Sequence, residues 1–134
     1  ASLLTLRMEF LDKWIKRRRE IAKRYWENIQ NKSLNLLQYV ENDEEHAHHL
    51  FVLKNKNIDL LKSYLYENKI QTLIHYPIPC HLQKALKNEN IRCDPKGLEK
   101  TEIHSRNCLS IPIHPFLKNF EVDYIIDKLN IYKK

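Results

Sequence analysis

Leu4, Met8, Leu11, Ile15, Ala22, Tyr25 and Ile29 fall at three- and four-residue intervals, or multiples of them, along the start of the chain. That spacing keeps apolar side chains on one face of a helix, and it predicts a single long helix over residues 1 to about 30. Arg18 interrupts the stripe. Leu3, Leu6, Phe10 and Trp14 widen it near the start, so the first half is expected to be buried on two sides. The opposite face carries Lys13, Lys16, Arg17, Glu20, Lys23, Arg24 and Glu27. The Glu20–Arg24 spacing adds about 0.3–0.5 kcal/mol of helical ion pairing.

A polar connector, NKSLNLLQYVENDEEHAHH, follows, and it offers the only internal boundary, at residues 31 to 45. HLFVLK (49–54) has the branched and aromatic content of a strand. A helix then begins after Asn57, a good cap, with Ile58, Leu61 and Leu65 on one face. Asn68 is expected to end it in the left-handed conformation where Gly is usual. IQTLIHY (70–76) predicts a second strand, stopped by Pro77 and Pro79, which lack N–H donors. HLQKALKNEN (81–90) predicts a short helix, 87–97 a polar loop and 99–107 a further helix. CLSIPI (108–113) predicts a third strand. NFEVDYIIDKLNIY predicts a closing helix with Val122, Ile125, Ile126 and Leu129 facing the core. The fold class is therefore α/β in the α+β two-layer sense: a long helix, then a small, mainly antiparallel sheet covered by helices.

Composition narrows the functional classes only a little. A chain of 134 residues suits one domain, and a net charge of +6 permits anionic partners without requiring them. Three cysteines, Cys80, Cys93 and Cys108, include no CxxC pair, which suits a reduced, cytoplasmic setting better than a disulfide framework. No apolar run is long enough to span a membrane. The opening ASLLTLRMEF has neither an initiator methionine nor the shape of a signal peptide. It starts in mid-pattern, as a piece of a longer chain would.

Three clusters carry candidate chemistry. His46, His48 and His49, beside Glu44 and Glu45, have the residue types of a metal site but not the spacing of a zinc motif, so solvated imidazoles flanking a strand are the simpler reading and no metal is assigned. His75, Cys80 and His81 could form a Cys–His pair, but nothing supplies an orienting group, so no catalytic residue is assigned. A strand that ends in His-Tyr and breaks at Pro instead delivers polar side chains to the edge of a sheet, where α/β proteins place ligand contacts. IKRRREIAKRYW has cations and aromatics suited to nucleic acid, yet its charges alternate in sign along one helix face, as on a solvated surface.

Taken in order, the segments resemble a known family. ASLLTLRMEFLDKWIKRRREIAKRY is similar to the helix, with pattern LDxWxxxRxxIAxxY, that leaves the cofactor domain of DegT/StrS-type nucleotide-sugar aminotransferases. HLFVLK resembles the family's HLFV strand. KIQTLIHYPIPCH resembles its GIQTLIHYPIPxH segment. CLSIPIHPFLKNFEVDYIIDKLN resembles the closing LSLPIxPxxxxxxVxxVIxxI. The wording IQTLIHYPIP is most similar to members that aminate C3 of a dTDP-linked 3-keto-6-deoxyhexose.

The resemblance implies the small C-terminal domain of a pyridoxal 5'-phosphate enzyme of the aspartate-aminotransferase fold. Residues 1–30 would be the inter-domain helix and 46–134 the α/β subdomain. The parent would transfer an amino group from glutamate to a keto sugar nucleotide in cell-surface polysaccharide or glycan biosynthesis, as a cytoplasmic homodimer. The family's Schiff-base lysine, ring-stacking residue and acidic partner lie upstream, so the resemblance places no cofactor-binding residue here and implies an inactive fragment. It implies substrate-binding roles for His75 and Tyr76, and also His81. Lys69 stands where Gly is usual, Cys80 where Pro or Leu is usual, HAHH replaces a more apolar approach, and nothing transfers to 88–107. A non-enzymatic regulatory or nucleic-acid-binding module derived from such a domain is the alternative.

Overall fold

The computed structural model describes residues 2–37, 46–87, 94 and 96–133. Helix α1 (Ser2–Met8) and helix α2 (Leu11–Asn28) replace the single helix expected over 1–30. Neither Glu9 nor Phe10, which separate them, is a helix breaker. What differs between the two helices is packing. No residue of α1 is buried, and Leu3, Leu4, Leu6 and Met8 are all exposed, whereas α2 sinks Ile21, Ala22 and Tyr25 into the core. A seven-residue helix gains little from backbone hydrogen bonds alone.

The sheet has three antiparallel strands in the order β1 (Asn35–Leu36), β2 (Phe51–Lys54), β3 (Cys108–Ile111). Phe51 pairs with Ile111 and Leu53 with Leu109. These four alternate residues belong to one apolar core with Ile21 and Tyr25 of α2, as the two-residue period of strands requires. Strand β1 was not expected; it lies in the segment read as a connector.

Helix α3 (Ile58–Glu67) buries Ile58, Leu61 and Leu65, and helix α5 (Asn119–Ile131) buries Val122, Ile125, Ile126 and Leu129, as the sequence pattern predicts. Each fully buried aliphatic side chain contributes about 1.5–3 kcal/mol. Polar ties add direction. Tyr64 Oη donates to the Lys128 carbonyl at 3.1 Å. Asn31 Nδ2 donates to the carbonyls of Leu129 and Tyr132, both at 2.8 Å. Helix α4 (Glu99–Asn107) forms where expected but buries nothing.

Three local expectations need correction. Asn68 keeps a negative φ of −84°, and the next residue, Lys69, takes the left-handed turn at φ +61°. Residues 70–76 are not a strand. They make one bridge, Leu73 to Ser110, with hydrogen bonds of 2.8 and 3.1 Å. The next hydrogen-bonded pair along that ladder would join Gln71 to Pro112, which has no N–H to give. On the other side Tyr76, at φ +54°, turns the chain out of the sheet. The helix expected over 81–90 is two short 3-10 turns, Cys80–Leu82 and Lys84–Leu86, while 88–90 and Cys93 lie outside the described residues.

Tyr132 Oη is buried with no hydrogen-bond partner among the described residues, while its ring packs on Tyr64 at 5.2 Å. Burial also raises its pKa above the ordinary tyrosine value. A buried hydroxyl without a partner costs stability. Tyr132→Phe is therefore expected to raise folding stability by roughly 1 kcal/mol, read as a higher urea midpoint. A lower midpoint would mean that the hydroxyl is bonded in solution.

Candidate functional site: a groove at the edge of strand β3

A groove of about 1530 Å³ opens beside β3. It is lined by Lys69, Leu73, His75, Ser110, Ile113 and His114, among others, and by side chains of α3 and α5 such as Tyr66 and Phe120. The single Leu73–Ser110 bridge explains its position. The two segments pair there and nowhere else among the described residues, so the sheet is left unfinished on that side.

His75 is half-buried on the groove, and its Nδ1 lies 2.9 Å from Ser110 Oγ. Tyr76 points elsewhere. It is 85% exposed and does not line the groove. Its φ of +54° is uncommon for any residue with a Cβ and costly for a bulky one. His81 is also outside the groove. Its Nε2 lies 3.2 Å from Glu102 Oε1, and Arg106 flanks the same carboxylate at 3.6 Å, so His81 ties the 3-10 turn to α4. The structure thus places only His75 of the three on the groove. Ser110 was not singled out from the sequence, and Arg18 only as a break in the stripe with no role, although each left a signal: a polar residue inside an apolar strand, and a cation inside an apolar stripe.

Of the histidine cluster before β2, His46 and His49 are exposed, as solvated imidazoles would be, and only His48 has become part of the packing. His48 is 1% exposed, takes φ +45°, and meets Trp26 edge-on at 5.2 Å and His46 at 4.2 Å. Arg18 holds this turn through one terminal nitrogen, which donates to the carbonyls of His48 (3.1 Å), His49 (3.1 Å) and Ile113 (2.9 Å). Desolvation lowers its pKa from the ordinary arginine value. Among the described residues no three His, Cys, Asp or Glu side chains converge on a point that could hold a metal.

The free thiols among the described residues are Cys80 and Cys108. Cys80 is exposed, and the geometry does not pair it with an imidazole. Cys108 is buried, and desolvation raises its pKa against the opposing pull of Lys54. Desolvation and then the Lys54 charge hold the His104 imidazole below its ordinary pKa of 6.5. The neutral ring is therefore the form that the fold favours. Its contribution is complete above pH 6.5 and is lost as pH falls toward the depressed folded value. Lys54→Met is expected to raise the His104 titration midpoint, read by NMR, but to leave it below 6.5, because desolvation is the larger cause.

The groove does not by itself fit pyridoxal 5'-phosphate. The lysines that line it, Lys62 and Lys69, are exposed rather than enclosed beside a ring-binding slot. The cofactor chemistry of such enzymes needs a desolvated lysine amine.

The DegT/DnrJ/EryC1/StrS aminotransferase family model matches residues 1–130. The chain belongs to this family. This DegT-type domain is 39% identical over 132 residues to dTDP-3-amino-3,6-dideoxy-alpha-D-galactopyranose transaminase of Aneurinibacillus thermoaerophilus, covering 98% of the chain and 35% of that protein. It is 34% identical to dTDP-3-amino-3,4,6-trideoxy-alpha-D-glucose transaminase of Streptomyces venezuelae, covering 95% and 33%. The chain therefore spans about a third of the length of the curated relatives it matches. The crystal structure of S. venezuelae DesV with a ketimine intermediate superposes with a TM-score of 0.84 at 31% identity, covering 96% of this chain and 34% of that one. A DegT-type aminotransferase from Brucella abortus gives the same TM-score at 28% identity, covering 94% and 33%. The α+β class expected from the sequence is thus the class found. The two curated relatives are named as transaminases of dTDP-linked amino sugars, and the present chain is a domain of the same aminotransferase family.

Proposed function

We propose that the DegT-type domain is the small C-terminal domain of a pyridoxal-phosphate-dependent transaminase whose acceptor is a dTDP-linked keto-6-deoxyhexose and whose amino donor is glutamate. Residues 1–30 connect it to the cofactor-bearing part, and 46–134 form the α/β subdomain. The enzyme works as a cytoplasmic homodimer in the building of a cell-surface polysaccharide or glycan. The observation that carries this reading is the family match over residues 1–130, joined to a groove lined by an imidazole.

His75, Tyr76 and His81 are proposed as substrate-side residues with different tasks. His75 offers a ring nitrogen at the groove. Tyr76 projects from the domain to meet the sugar nucleotide or the neighbouring domain. His81, fixed by Glu102, sets the turn that follows Tyr76. The pyridoxal ring supplies the electron sink when bound, and the residues of this chain orient the sugar. The exposed apolar face of α1 is covered by the remainder of the enzyme or by the partner subunit.

The nucleic-acid alternative is not favoured. Several cations of the basic helix are spent inside the domain. Arg17 donates to the Leu117 carbonyl at 2.7 Å and to Asn119 Oδ1 at 2.8 Å, Arg18 to three carbonyls, and Arg24 to Asp123. The test uses the full-length enzyme with glutamate and a dTDP-linked 3-keto-6-deoxyhexose, following dTDP-aminosugar by mass. Formation of the aminosugar supports the reading. No amination of any dTDP-keto sugar, together with salt-dependent binding of DNA or RNA at physiological ionic strength, overturns it.

A further inference from the structure

We infer that Ser110 is a positioning residue for the sugar-nucleotide site, its hydroxyl fixing the His75 imidazole through Nδ1 so that Nε2–H is presented to the groove. The inference rests on the proposed reading of His75 as a substrate contact. Nothing in the sequence pattern requires a hydroxyl at this position. Its neighbours Cys108, Leu109 and Ile111 are all buried and apolar, and a buried hydroxyl among them is costly unless it is bonded. Ser110 is 6% exposed, and the side-chain hydrogen bond shown for it is the 2.9 Å contact to His75.

The position of that hydroxyl is fixed from both sides. The Ser110 N–H and carbonyl are both committed to Leu73, and on the opposite side Ser110 stands in register with Val52. Its side chain therefore projects from a position of β3 that is paired on both sides. His75 has no such support: it lies two residues past the last bridged position and one before the strained Tyr76. A ring on an unpaired segment keeps one orientation only if something rigid holds it, and Ser110 is the rigid partner.

The direction of the bond follows from what the groove has to meet. A sugar carbonyl, a sugar hydroxyl and a diphosphate all present acceptor oxygens. An imidazole that receives the Ser110 O–H at Nδ1 carries its own proton on Nε2 and is a donor to those oxygens. Loss of the hydroxyl frees the ring to rotate and to exchange tautomers. This weakens substrate binding without touching the amino-donor half of the reaction.

The experiment is a double-mutant cycle on the full-length enzyme, with dTDP-glucose binding by calorimetry and steady-state kinetics as readouts. Ser110→Ala is expected to weaken dTDP-glucose binding by roughly five- to tenfold. KM for the keto sugar should rise by the same factor, with the glutamate half-reaction unchanged. Ser110→Thr, which keeps the hydroxyl, should restore most of the loss. Once His75 is Ala, Ser110→Ala should add nothing. Additive effects of the two alanine substitutions, or no effect of Ser110→Ala where His75→Ala is impaired, overturn the positioning role and leave the proposed function standing. Wild-type sugar binding by His75→Ala overturns the substrate-side assignment of His75, and the role claimed for Ser110 falls with it.

Discussion

Replacing Arg18 by Met is expected to lower folding stability by roughly 3 kcal/mol. One Arg18 nitrogen donates to three backbone carbonyls from two separate segments: His48 and His49 before β2, and Ile113 after β3. Both segments leave the sheet at its same end, because β2 begins at Phe51 opposite Ile111. The arginine thus ties the α2 helix to two loops at once. Hydrogen bonds from a charged donor are worth about 1.5–3 kcal/mol each, and carbonyls left buried without a partner add their own desolvation cost. Met retains most of the aliphatic packing, so the variant isolates the polar loss. Lys restores a charge but not the planar, pre-organised donor set, and should recover less than half. Urea unfolding reads both variants through the midpoint at constant slope. A Met variant within about 0.5 kcal/mol of the parent, the ordinary range for surface substitutions, would show that the carbonyls find water instead.

Arg18 also shows what a pattern of apolar spacing hides. The sequence marks it as a fault in a helical stripe, and the structure shows that the fault is a junction. The same holds for Ser110, one polar residue in an apolar strand. In both cases the chain departs from its binary pattern because a specific partner waits elsewhere in the fold. Local periodicity cannot name that partner, since His48 and Ile113 lie 30 and 95 residues from Arg18. The elements that were legible, α3, α5 and β2, are those whose burial is settled by their own spacing. Those that were not depend on something outside themselves. Residues 70–76 have strand composition, but Pro112, just past the end of the facing strand, denies them a ladder. The helix expected over 1–30 is broken into an α1 that buries nothing and an α2 that buries Ile21, Ala22 and Tyr25 in its second half. The position of His75 at a sheet edge was legible from the proline stop after it, whereas the contrary direction of Tyr76 rests on a single positive φ that no composition rule announces.

Tyr76→Asn is expected to make the domain more stable and the enzyme worse. The backbone at Tyr76 sits at φ +54°, immediately before Pro77, and the ring is 85% exposed, so little packing inside the domain repays the strained conformation. Left-handed geometry costs an ordinary L-residue roughly 1–2 kcal/mol, and Asn bears it more cheaply because its short side chain bonds locally. The substitution should therefore raise stability by about 0.5–1 kcal/mol. Strain that persists at an exposed aromatic, with no local benefit, marks a residue kept for an external contact. In the full-length enzyme that contact is proposed to be the sugar nucleotide. A large aromatic at the centre of a binding contact is worth about 2 kcal/mol or more, so kcat/KM for the keto sugar nucleotide should fall by roughly thirtyfold. Cofactor absorbance should stay unchanged, because the proposed contact is on the substrate side. The two measurements separate the possible causes. A loss of activity with a loss of stability would mean that the ring supports the fold after all. A gain in stability with full activity would mean that the strained geometry serves neither substrate nor neighbouring domain, and the substrate-side role of Tyr76 would have to be given up.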